Sequence, residues 1–359
     1  MSDKKIFPKV TFVLSSITRS GGSRVTIEMA NRLLEKGFFV RIAVRNKKVS
    51  FMEILRKKLK NLWLACSGAD YTDWGFQYRG KLISFNNLNE VDIEDGEIVI
   101  AVGTKEIKTV QALKKNIIKI RYCHGLAATH AELTEKAWQD PMITLAVSQT
   151  LVPELEQYSG QKVNAVVPNG IRTDQYFDMD LKRDGIGMMY SAHYTKSPKE
   201  ALEVIRRIKE QWTDIPLYIF GVARRPPEIP KEYYWRYPSI EKTRELYSRS
   251  KVWLSISRSE GFGLPILEAM ACGAAVVCTE NHGSREIVEN GKNGILVSPG
   301  DIEDVVNKID FLLSNESIRA DLVKNSKETV SMFNWDKAVD KMAHVLISLS
   351  DKWKSTIAV

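Results

Sequence analysis

The sequence predicts an α/β fold built from two parallel sheets that are covered by helices. Strand-like apolar segments alternate with helical patterns along almost the whole chain, which is typical of parallel sheets. A polar stretch without periodicity interrupts this alternation near the middle of the chain. With 359 residues, 44% of them hydrophobic, the chain can bury two cores, since a domain takes roughly 100–200 residues.

In the first half, apolar segments predict strands and the segments between them predict helices. The predicted strands are Val10–Ser16, Phe38–Arg45, Glu97–Val102, Ile117–Cys123, Ile143–Val147 and Val163–Val167. The predicted helices include Ser23–Lys36, which Gly37 ends, and Lys105–Lys115. The second half repeats this arrangement. Its predicted strands are Gly187–Ala192, Leu217–Phe220, Val252–Ser257, Ala275–Cys278 and Ile295–Val297.

The domain boundary is predicted between Pro168 and Asp184, where Pro-Asn-Gly precedes a polar, acidic stretch. The last segment is predicted to be a helix, with Asn334 as its N-cap. Its apolar residues at helical spacing are Ala338, Met342, Val345, Leu346 and Leu349.

The most informative segment runs from Ser259 to Gly273 and reads Ser-Glu-Gly-Phe-Gly-Leu-Pro-Ile-Leu-Glu-Ala-Met-Ala-Cys-Gly. It places two carboxylates, Glu260 and Glu268, on either side of a glycine turn and a helix start. Pro265 suits the first helical position, where its missing N–H has no cost. Gly273 suits the residue that ends a two-turn helix. The pattern predicts a strand, a turn and a short helix.

Such a turn leaves backbone N–H groups free at the helix N-terminus, where an anionic group binds well. Glu260 and Glu268 do not bind phosphate, but an ionised carboxylate is a strong acceptor for sugar and ribose hydroxyls. The segment therefore predicts a ligand with a phosphate and several hydroxyls, and a nucleotide sugar fits. Two glutamates at this spacing alone are a common coincidence, so the prediction depends on the whole run.

At these residues the sequence resembles the retaining GT-B glycosyltransferases of family GT4, the glycosyl transferases group 1. The family's Glu-x7-Glu motif, commonly followed by Ala-Met-Ala-x-Gly, stands here as Glu260 to Glu268 and then Ala269 to Gly273. The resemblance continues into Gly283, Glu286, Gly291 and Gly294.

The resemblance implies the GT-B fold, with two Rossmann-like domains facing each other across a cleft. Residues 1–170 are then the acceptor-side domain and 171–335 the domain that binds the nucleotide sugar. Residues 336–359 are a helix that crosses back to the first domain. No metal or other cofactor is expected.

The resemblance also implies roles for the motif residues in binding the donor. Glu260 is expected to bind the sugar hydroxyls, and Glu268 the ribose hydroxyls. Backbone amides of the turn are expected to stabilise the diphosphate as negative charge develops on it. The residues of this turn are Gly261, Phe262, Gly263 and Leu264.

A second candidate is Lys199, which lies in a run that reads as a capping box with Ser197 as N-cap and Glu200 as its partner. A lysine in the first helical turn is unfavourable against the helix dipole, so a facing phosphate explains it. A solvated lysine at a helix end is the alternative. The family has a lysine here, and an arginine about six residues earlier. Here that position is His193, and Lys196 is a neighbour that can compensate.

In the first half, Gly21-Gly22 follows the first strand, and such glycines permit close approach of the backbone to a ligand. The run is not Gly-x-Gly-x-x-Gly, so it does not predict dinucleotide binding. His124 ends a strand and is either structural or, as the resemblance implies, a contact to the donor sugar near the reacting carbon. We expect it to orient the sugar more than to act as a general base.

Two further signals carry less weight. Asp178-Met179-Asp180 has the metal-binding pattern of the GT-A fold, but it lies in the predicted linker and is interpreted as incidental. The four cysteines show no metal or redox spacing, and no apolar run reaches the roughly 18 residues of a membrane span. Both observations favour a cytoplasmic protein.

The net charge of +8 is unevenly distributed, with a basic cluster between Lys47 and Lys60. Within Ser50–Leu64, apolar residues share one helical face and basic residues the other, a pattern typical of a helix on an anionic membrane surface. Packing against its own domain is the alternative. Peripheral contact with the inner face of the plasma membrane is therefore a further expectation.

These observations together predict a retaining glycosyltransferase (EC 2.4, hexosyl- or deoxyhexosyl-transferring). It is expected to move a sugar from a nucleoside-diphosphate sugar to a saccharide or lipid-linked acceptor in bacterial cell-surface polysaccharide synthesis. One alternative is a GT-B enzyme with other nucleotide-sugar chemistry, such as epimerisation. Another is a non-catalytic, basic membrane-binding protein. Nucleic acid is not expected as a partner, because the basic cluster lacks interleaved aromatic residues.

Overall fold

The computed structural model describes residues 7–18, 20–46, 77–125 and 138–357. These residues form two compact units. The first contains the described residues up to 46, those from 77 to Gly170 and the helix that begins at Trp335; the second contains Ile171–Asn334. Each unit has its own parallel sheet, so the predicted α/β class is confirmed.

The sheet of the first unit has the strand order β3-β2-β1-β4-β5-β6-β7. Its strands are β1 (Lys9–Leu14), β2 (Phe39–Arg45), β3 (Lys81–Phe85), β4 (Ile98–Val102), β5 (Ile118–Cys123), β6 (Ile143–Ala146) and β7 (Ala165–Val166). Its helices within the described residues are α1 (Gly21–Glu35), α2 (Thr104–Gln111), α3 (Val152–Ser159) and, at the end of the chain, α10 (Trp335–Ile357). The central strand β4 is a continuous apolar run because both of its faces are covered, and β1 is buried from Val10 to Leu14 although it includes Thr11.

The sheet of the second unit has the strand order β10-β9-β8-β11-β12-β13. Its strands are β8 (Gly185–Met189), β9 (Leu217–Gly221), β10 (Tyr234–Arg236), β11 (Ser250–Ser255), β12 (Ala275–Thr279) and β13 (Ile295–Val297). Its helices are α4 (Pro198–Gln211), α5 (Ile240–Arg249), α6 (Leu264–Ala271), α7 (His282–Ile287), α8 (Ile302–Ser314) and α9 (Glu316–Met332).

Each sheet has a point at which the strand order reverses. In the first unit the chain builds β1, β2 and β3 toward one edge and then restarts beside β1 with β4. In the second unit it builds β8, β9 and β10 and then restarts beside β8 with β11. The loops that leave two such neighbouring strands diverge, and the crevice between them, at the carboxyl ends of the strands, is where open α/β sheets bind ligands.

Two strands were not predicted from the sequence, and both lie at sheet edges. β3 is largely exposed. Because neither of its faces is fully buried, its sequence shows no regular alternation of apolar and polar residues. β10 has only three residues. Edge strands are buried less than central ones, and their sequence signal is correspondingly weaker.

The start of α4 corrects one local prediction. The helix begins at Pro198, as expected, but the predicted capping box is wrong. Ser197 has a left-handed backbone (φ 48°), and its side chain makes no capping hydrogen bond. Glu200 instead accepts a hydrogen bond from Nε of Arg258 (3.0 Å). α6 begins at Leu264, one residue before Pro265, and Gly273 (φ 79°) follows its end.

Helix α10 packs on the first unit and begins directly after Asn334. Arg32 of α1 donates to Asp336 (3.1 Å) and lies over the ring of Trp335. The apolar face of α10 is buried; for example, Leu346 is fully buried. Among the residues described here, no helix is long and apolar enough to span a membrane. The predicted helix in Ser50–Leu64 lies outside the described residues.

Candidate functional site

The loops that follow β8 and β11 meet at the switch point of the second sheet. The turn before α4 brings the carbonyl oxygen of Thr195 to the backbone N–H groups of Arg258 (2.9 Å) and Ser259 (3.4 Å). These backbone contacts hold the end of β11 against the end of β8. They therefore fix the start of the Glu-x7-Glu segment in the crevice.

A lysine and the first glutamate of the motif form an ion pair across this crevice. Nζ of Lys196 donates to Oε1 of Glu260. The two side chains are only 23% and 13% exposed, so solvent screens this pair less than a surface pair. Lys199 lies in the first turn of α4, where its side chain is exposed. The structure thus places Lys196, and not Lys199, in contact with Glu260.

The turn after Glu260 presents unpaired backbone donors. Gly263 has a left-handed backbone (φ 92°), and α6 has no side-chain cap at its N-terminus. Within the described part of the chain, the N–H groups of Phe262, Gly263 and Leu264 donate no hydrogen bond. Successive free N–H groups at a helix start are a binding site for an anion such as phosphate.

The turn is held from behind by Gly283. Its N–H donates to the carbonyl oxygen of Glu260 (2.8 Å). A Cβ at this position would lie 2.6 Å from the backbone carbon of Phe262 and 2.9 Å from Cβ of Glu260. Only glycine allows this close packing, so Gly283 fixes the position of the turn.

The second glutamate of the motif has a different environment. Glu268, on α6, is 4% exposed and accepts a hydrogen bond from the Tyr247 hydroxyl of α5 (2.8 Å). Burial and the adjacent carboxylate raise the pKa of Tyr247 well above its ordinary value, so the phenol stays a donor. Glu260 and Glu268 therefore contact different partners, one in the crevice and one between α5 and α6.

His193 lies at the exposed start of the turn that carries Lys196. Its Nδ1 accepts a hydrogen bond from the N–H of Thr195 (3.4 Å) and lies 2.8 Å from that residue's hydroxyl. Because Nδ1 acts as acceptor, the neutral ring carries its proton on Nε2. His193 thus presents Nε2 as a ring N–H donor, where an arginine would present a fork of five donors.

In the first unit, Gly21 and Gly22 form the first turn of α1. A Cβ at either position would meet no atom of the described residues within 4 Å. Among these residues, neither packing nor a left-handed backbone therefore requires glycine here. They follow β1, on one side of the first sheet's switch point.

His124 directly follows β5 at the same, carboxyl edge of the first sheet. Its Nε2 is buried and has no hydrogen-bond partner among the described residues. Its ring packs edge-on against Tyr122, with the ring centroids 4.3 Å apart. Burial lowers the pKa of His124 to about 4, so the ring is neutral near pH 7.

The Asp-x-Asp triplet is engaged within the protein. Asp178 forms an ion pair with Arg183 (2.6 Å) and accepts the N–H of Asp180 (3.0 Å). Arg183 also donates to the carbonyl oxygen of Cys272 (2.7 Å). In the ranges that the structure describes, no three His, Cys, Asp or Glu side chains are placed to hold a metal ion.

Sequence reasoning missed two features of the site. It did not single out Tyr247, because a tyrosine in an amphipathic helix is typical of a packed core. It named Lys196 only as a neighbour that can compensate for His193, because chain positions do not show which lysine reaches Glu260, 64 residues after Lys196. Only the order of the strands brings these two side chains together.

Comparisons with known proteins agree with this description. Residues 178–329 match the family model described as glycosyl transferases group 1. An uncharacterised glycosyltransferase of Methanocaldococcus jannaschii is 42% identical over 95 residues, which cover 26% of this chain and 27% of that protein. O-antigen chain mannosyltransferase B of Escherichia coli is 27% identical over 188 residues, which cover 41% of this chain and 49% of that protein. The chain thus spans less than half the length of these two relatives.

The likeness of fold extends over almost the whole chain. The crystal structure of HepE from Anabaena, in complex with UDP and glucose, matches with a TM-score of 0.71 at 15% identity. The match covers 95% of this chain and 100% of that one. Over residues 178–329 this chain is therefore similar to the glycosyl transferases group 1, and its two parallel sheets have the GT-B glycosyltransferase fold.

Proposed function

We propose that this protein is a retaining glycosyltransferase of family GT4 that uses a nucleoside-diphosphate sugar. The observation that carries the proposal is the crevice at the second switch point, where the Lys196–Glu260 pair lies beside three unpaired N–H groups. An anion and a set of hydroxyls are the ligand chemistry that these donors and this carboxylate complement.

The diphosphate is proposed to bind at the start of α6. The N–H groups of Phe262, Gly263 and Leu264 and the ammonium of Lys196 would stabilise the charge that develops on the leaving group. Lys199 extends this positive region at the first turn of α4. His193 supplies a ring N–H where the family usually has an arginine, so this site carries one fixed positive charge fewer.

The sugar and the ribose are proposed to bind the two glutamates. Glu260 accepts hydrogen bonds from the sugar hydroxyls. The positive charge of Lys196 neutralises the carboxylate of Glu260, which would otherwise repel the diphosphate. Glu268, fixed by Tyr247, accepts from the ribose hydroxyls. In the first unit, His124 offers a neutral ring that orients the sugar, and Gly21-Gly22 leave room for close approach.

Retention is proposed to follow a front-face route. The bond between the anomeric carbon and the leaving phosphate breaks as the acceptor oxygen attacks from the same face, and the leaving phosphate takes the acceptor's proton. Cations and backbone N–H groups supply the stabilisation, so we propose that no metal is required. A hexosyl or deoxyhexosyl group is the proposed cargo.

The proposed setting is bacterial cell-surface polysaccharide synthesis, on the cytoplasmic side of the membrane. The support is the similarity to an O-antigen mannosyltransferase over part of the chain. The acceptor is then a saccharide or a lipid-linked sugar. Contact with an anionic membrane through Ser50–Leu64 belongs to the same proposal. It is tested by co-sedimentation with anionic liposomes, because a charge-reversed Lys57/Lys58/Lys60 variant should no longer pellet.

The enzymatic proposal is tested with a panel of UDP-, GDP- and dTDP-sugars, assayed without metal for slow release of the nucleotide. Glu260→Gln and Lys196→Met should each lower the rate by about 10²–10³-fold, the usual loss when one charge-stabilising group is removed. Lys199→Met should lower it by less than about tenfold, because its side chain is exposed. Glu303→Gln, which removes a surface partner of Arg207, is the matched control.

The outcomes separate the alternatives. Failure of every nucleotide to bind in calorimetry would favour a non-catalytic protein. Nucleotide binding with conversion of the sugar, but without transfer or release, would favour other nucleotide-sugar chemistry. A larger loss in Lys199→Met than in Lys196→Met would reverse the assignment of the diphosphate-binding lysine.

A further inference from the structure

The switch point of the first sheet also carries a contact between its two loops. Ser15 follows β1, and Glu106 lies in the first turn of α2, after β4. The Ser15 hydroxyl donates to Oε1 of Glu106 (2.8 Å). The carboxylate of Glu106 is fully buried. A buried carboxylate lowers the stability of the fold unless its oxygens accept hydrogen bonds. The hydrogen bond from Ser15 is therefore part of what stabilises the loops at this crevice.

The second oxygen of Glu106 holds an arginine. Nη2 of Arg45, the last residue of β2, donates to Oε2 of Glu106 (3.2 Å) and to the hydroxyl of Thr109. The guanidinium also lies over the ring of Phe85, with Cζ 5.3 Å from the centroid. Three different groups therefore fix the orientation of one side chain.

Among the described residues, one nitrogen of this guanidinium donates hydrogen bonds to the protein. Within the described residues, Nε and Nη1 of Arg45 donate no hydrogen bond, and the side chain is 39% exposed. A guanidinium has five N–H donors in a rigid planar fork, which matches the oxygens of a phosphate or a carboxylate. The free donors of Arg45 are thus presented at the carboxyl edge of the sheet with their orientation already set.

The backbone around the crevice is open to a ligand. Gly103, the N-cap of α2, has a left-handed backbone (φ 93°) and gives this helix no side-chain cap. A Cβ at Gly103 would meet no atom of the described residues within 4 Å, as at Gly21 and Gly22. None of the described residues therefore fills the space beside these glycines, on either side of the switch point.

From this arrangement we infer that the β1/β4 crevice of the first unit is a second ligand site, which binds a phosphate or carboxylate group of the acceptor through Arg45. Glu106 is a positioning residue, because it is fully buried and acts through the guanidinium. The identification of this ligand as the acceptor rests on the proposed function. The binding of an anionic group to the first unit does not depend on that function.

The test uses pairs of small probes that differ in one anionic group: glycerol and glycerol 1-phosphate, and methyl glucoside and methyl glucuronide. Binding to the full-length protein is followed by calorimetry and by ligand-observed NMR. The wild type should prefer one or both anionic probes, and which pair shows the preference separates phosphate from carboxylate recognition. Arg45→Met should weaken that preference by roughly tenfold to hundredfold, the usual effect of losing a hydrogen bond to a charged group.

Two further variants separate recognition from a structural role. Arg45→Lys keeps the charge but loses the fork, so it should recover only part of the preference. Glu106→Gln should weaken the preference as well, because the guanidinium is no longer fixed by a charge. Arg79→Met, which removes an exposed guanidinium paired with Glu35, controls for non-specific attraction to a basic protein and should behave as wild type.

The inference would be overturned if charged and neutral probes bound equally well, or if the preference persisted in Arg45→Met. It would also be overturned if no anionic probe bound detectably. A structural role alone would lower the melting temperature of Arg45→Met without changing the ratio between paired probes. Because the probes carry no nucleotide, nucleotide binding measured in parallel reports on the proposed function separately.

Discussion

At the residue scale, the buried Tyr247–Glu268 pair shows how a motif side chain depends on a neighbour that the motif does not contain. Tyr247 is fully buried and donates to a carboxylate that is 4% exposed. Removal of the hydroxyl would leave one oxygen of Glu268 without this donor in a place that water hardly reaches.

We therefore expect Tyr247→Phe to lower the free energy of unfolding by about 1.5–3 kcal/mol, the range for a hydrogen bond to a charged group. It should also weaken nucleotide binding, because Glu268 is the proposed ribose contact. Urea denaturation and calorimetry measure the two effects. Unchanged nucleotide affinity in a destabilised variant would mean that Glu268 has only a structural role.

His124 gives a prediction about pH. Burial lowers its pKa from 6.5 to about 4, so between these values the unfolded chain binds the proton and the folded protein does not. The stability that this histidine contributes is fully present above about pH 6.5 and is lost as the pH falls toward 4. The slope reaches at most ~1.4 kcal/mol per pH unit, the value for one proton.

The measurement compares the pH dependence of unfolding in the wild type and in His124→Phe. Carboxylates that titrate in the same range affect both proteins, so the difference between the two curves isolates the histidine. That difference should grow as the pH is lowered from 6.5 to 4. Parallel curves would mean that the ring accepts a proton in the folded protein.

At the scale of elements, the two glycines in the first turn of α1 are better explained by ligand binding than by the stability of the helix. Gly21 and Gly22 lie in a helix, where glycine is less favourable than alanine by roughly 0.5–1 kcal/mol. None of the described residues occupies the position of a Cβ at either glycine. A sequence selected for stability alone would place alanine here.

We expect Gly22→Ala to raise the free energy of unfolding by a few tenths to about 1 kcal/mol and to lower transfer activity. The two effects have opposite signs, which distinguishes this variant from one that simply damages the fold. Chemical denaturation and a steady-state assay with the preferred donor measure them. A more stable variant with full activity would show that no ligand approaches this turn.

At the scale of the whole molecule, the first unit is assembled from distant parts of the chain. Helix α10 comes from the end of the sequence, yet it packs on α1, which lies near the beginning. Among the described residues, the second unit consists of Ile171–Asn334. A change in α10 should therefore act on the first unit more than on the second.

Leu346→Ala should lower the stability of the first unit by roughly 2–5 kcal/mol, because it empties a fully buried position. Hydrogen exchange should rise in the described first-unit segments and change little in Ile171–Asn334. His344→Ala, on the exposed face of the same helix, is the matched control. Equal loss of protection in both units would mean that they unfold together.

The sequence by itself determined the features that depend on neighbouring residues. Apolar runs with turn residues at their ends specified the central strands, and Pro265 and Gly273 specified a short helix after the Glu260 turn. The Glu-x7-Glu segment predicted a ligand with a phosphate and several hydroxyls, and this stays a prediction. These signals are local, because backbone conformation and hydrophobic period are set within a few residues.

The tertiary structure alone decided which charged groups meet. Lys196 contacts Glu260, which lies 64 residues later in the chain, and Arg45 contacts Glu106, which lies 61 residues later. These residues meet because the strand order places the segments that carry them side by side. It also decided that Ser197 takes a left-handed backbone in place of the predicted cap. The physical reason is that such contacts are fixed by the order of strands in a sheet, and this order follows from packing over the whole domain.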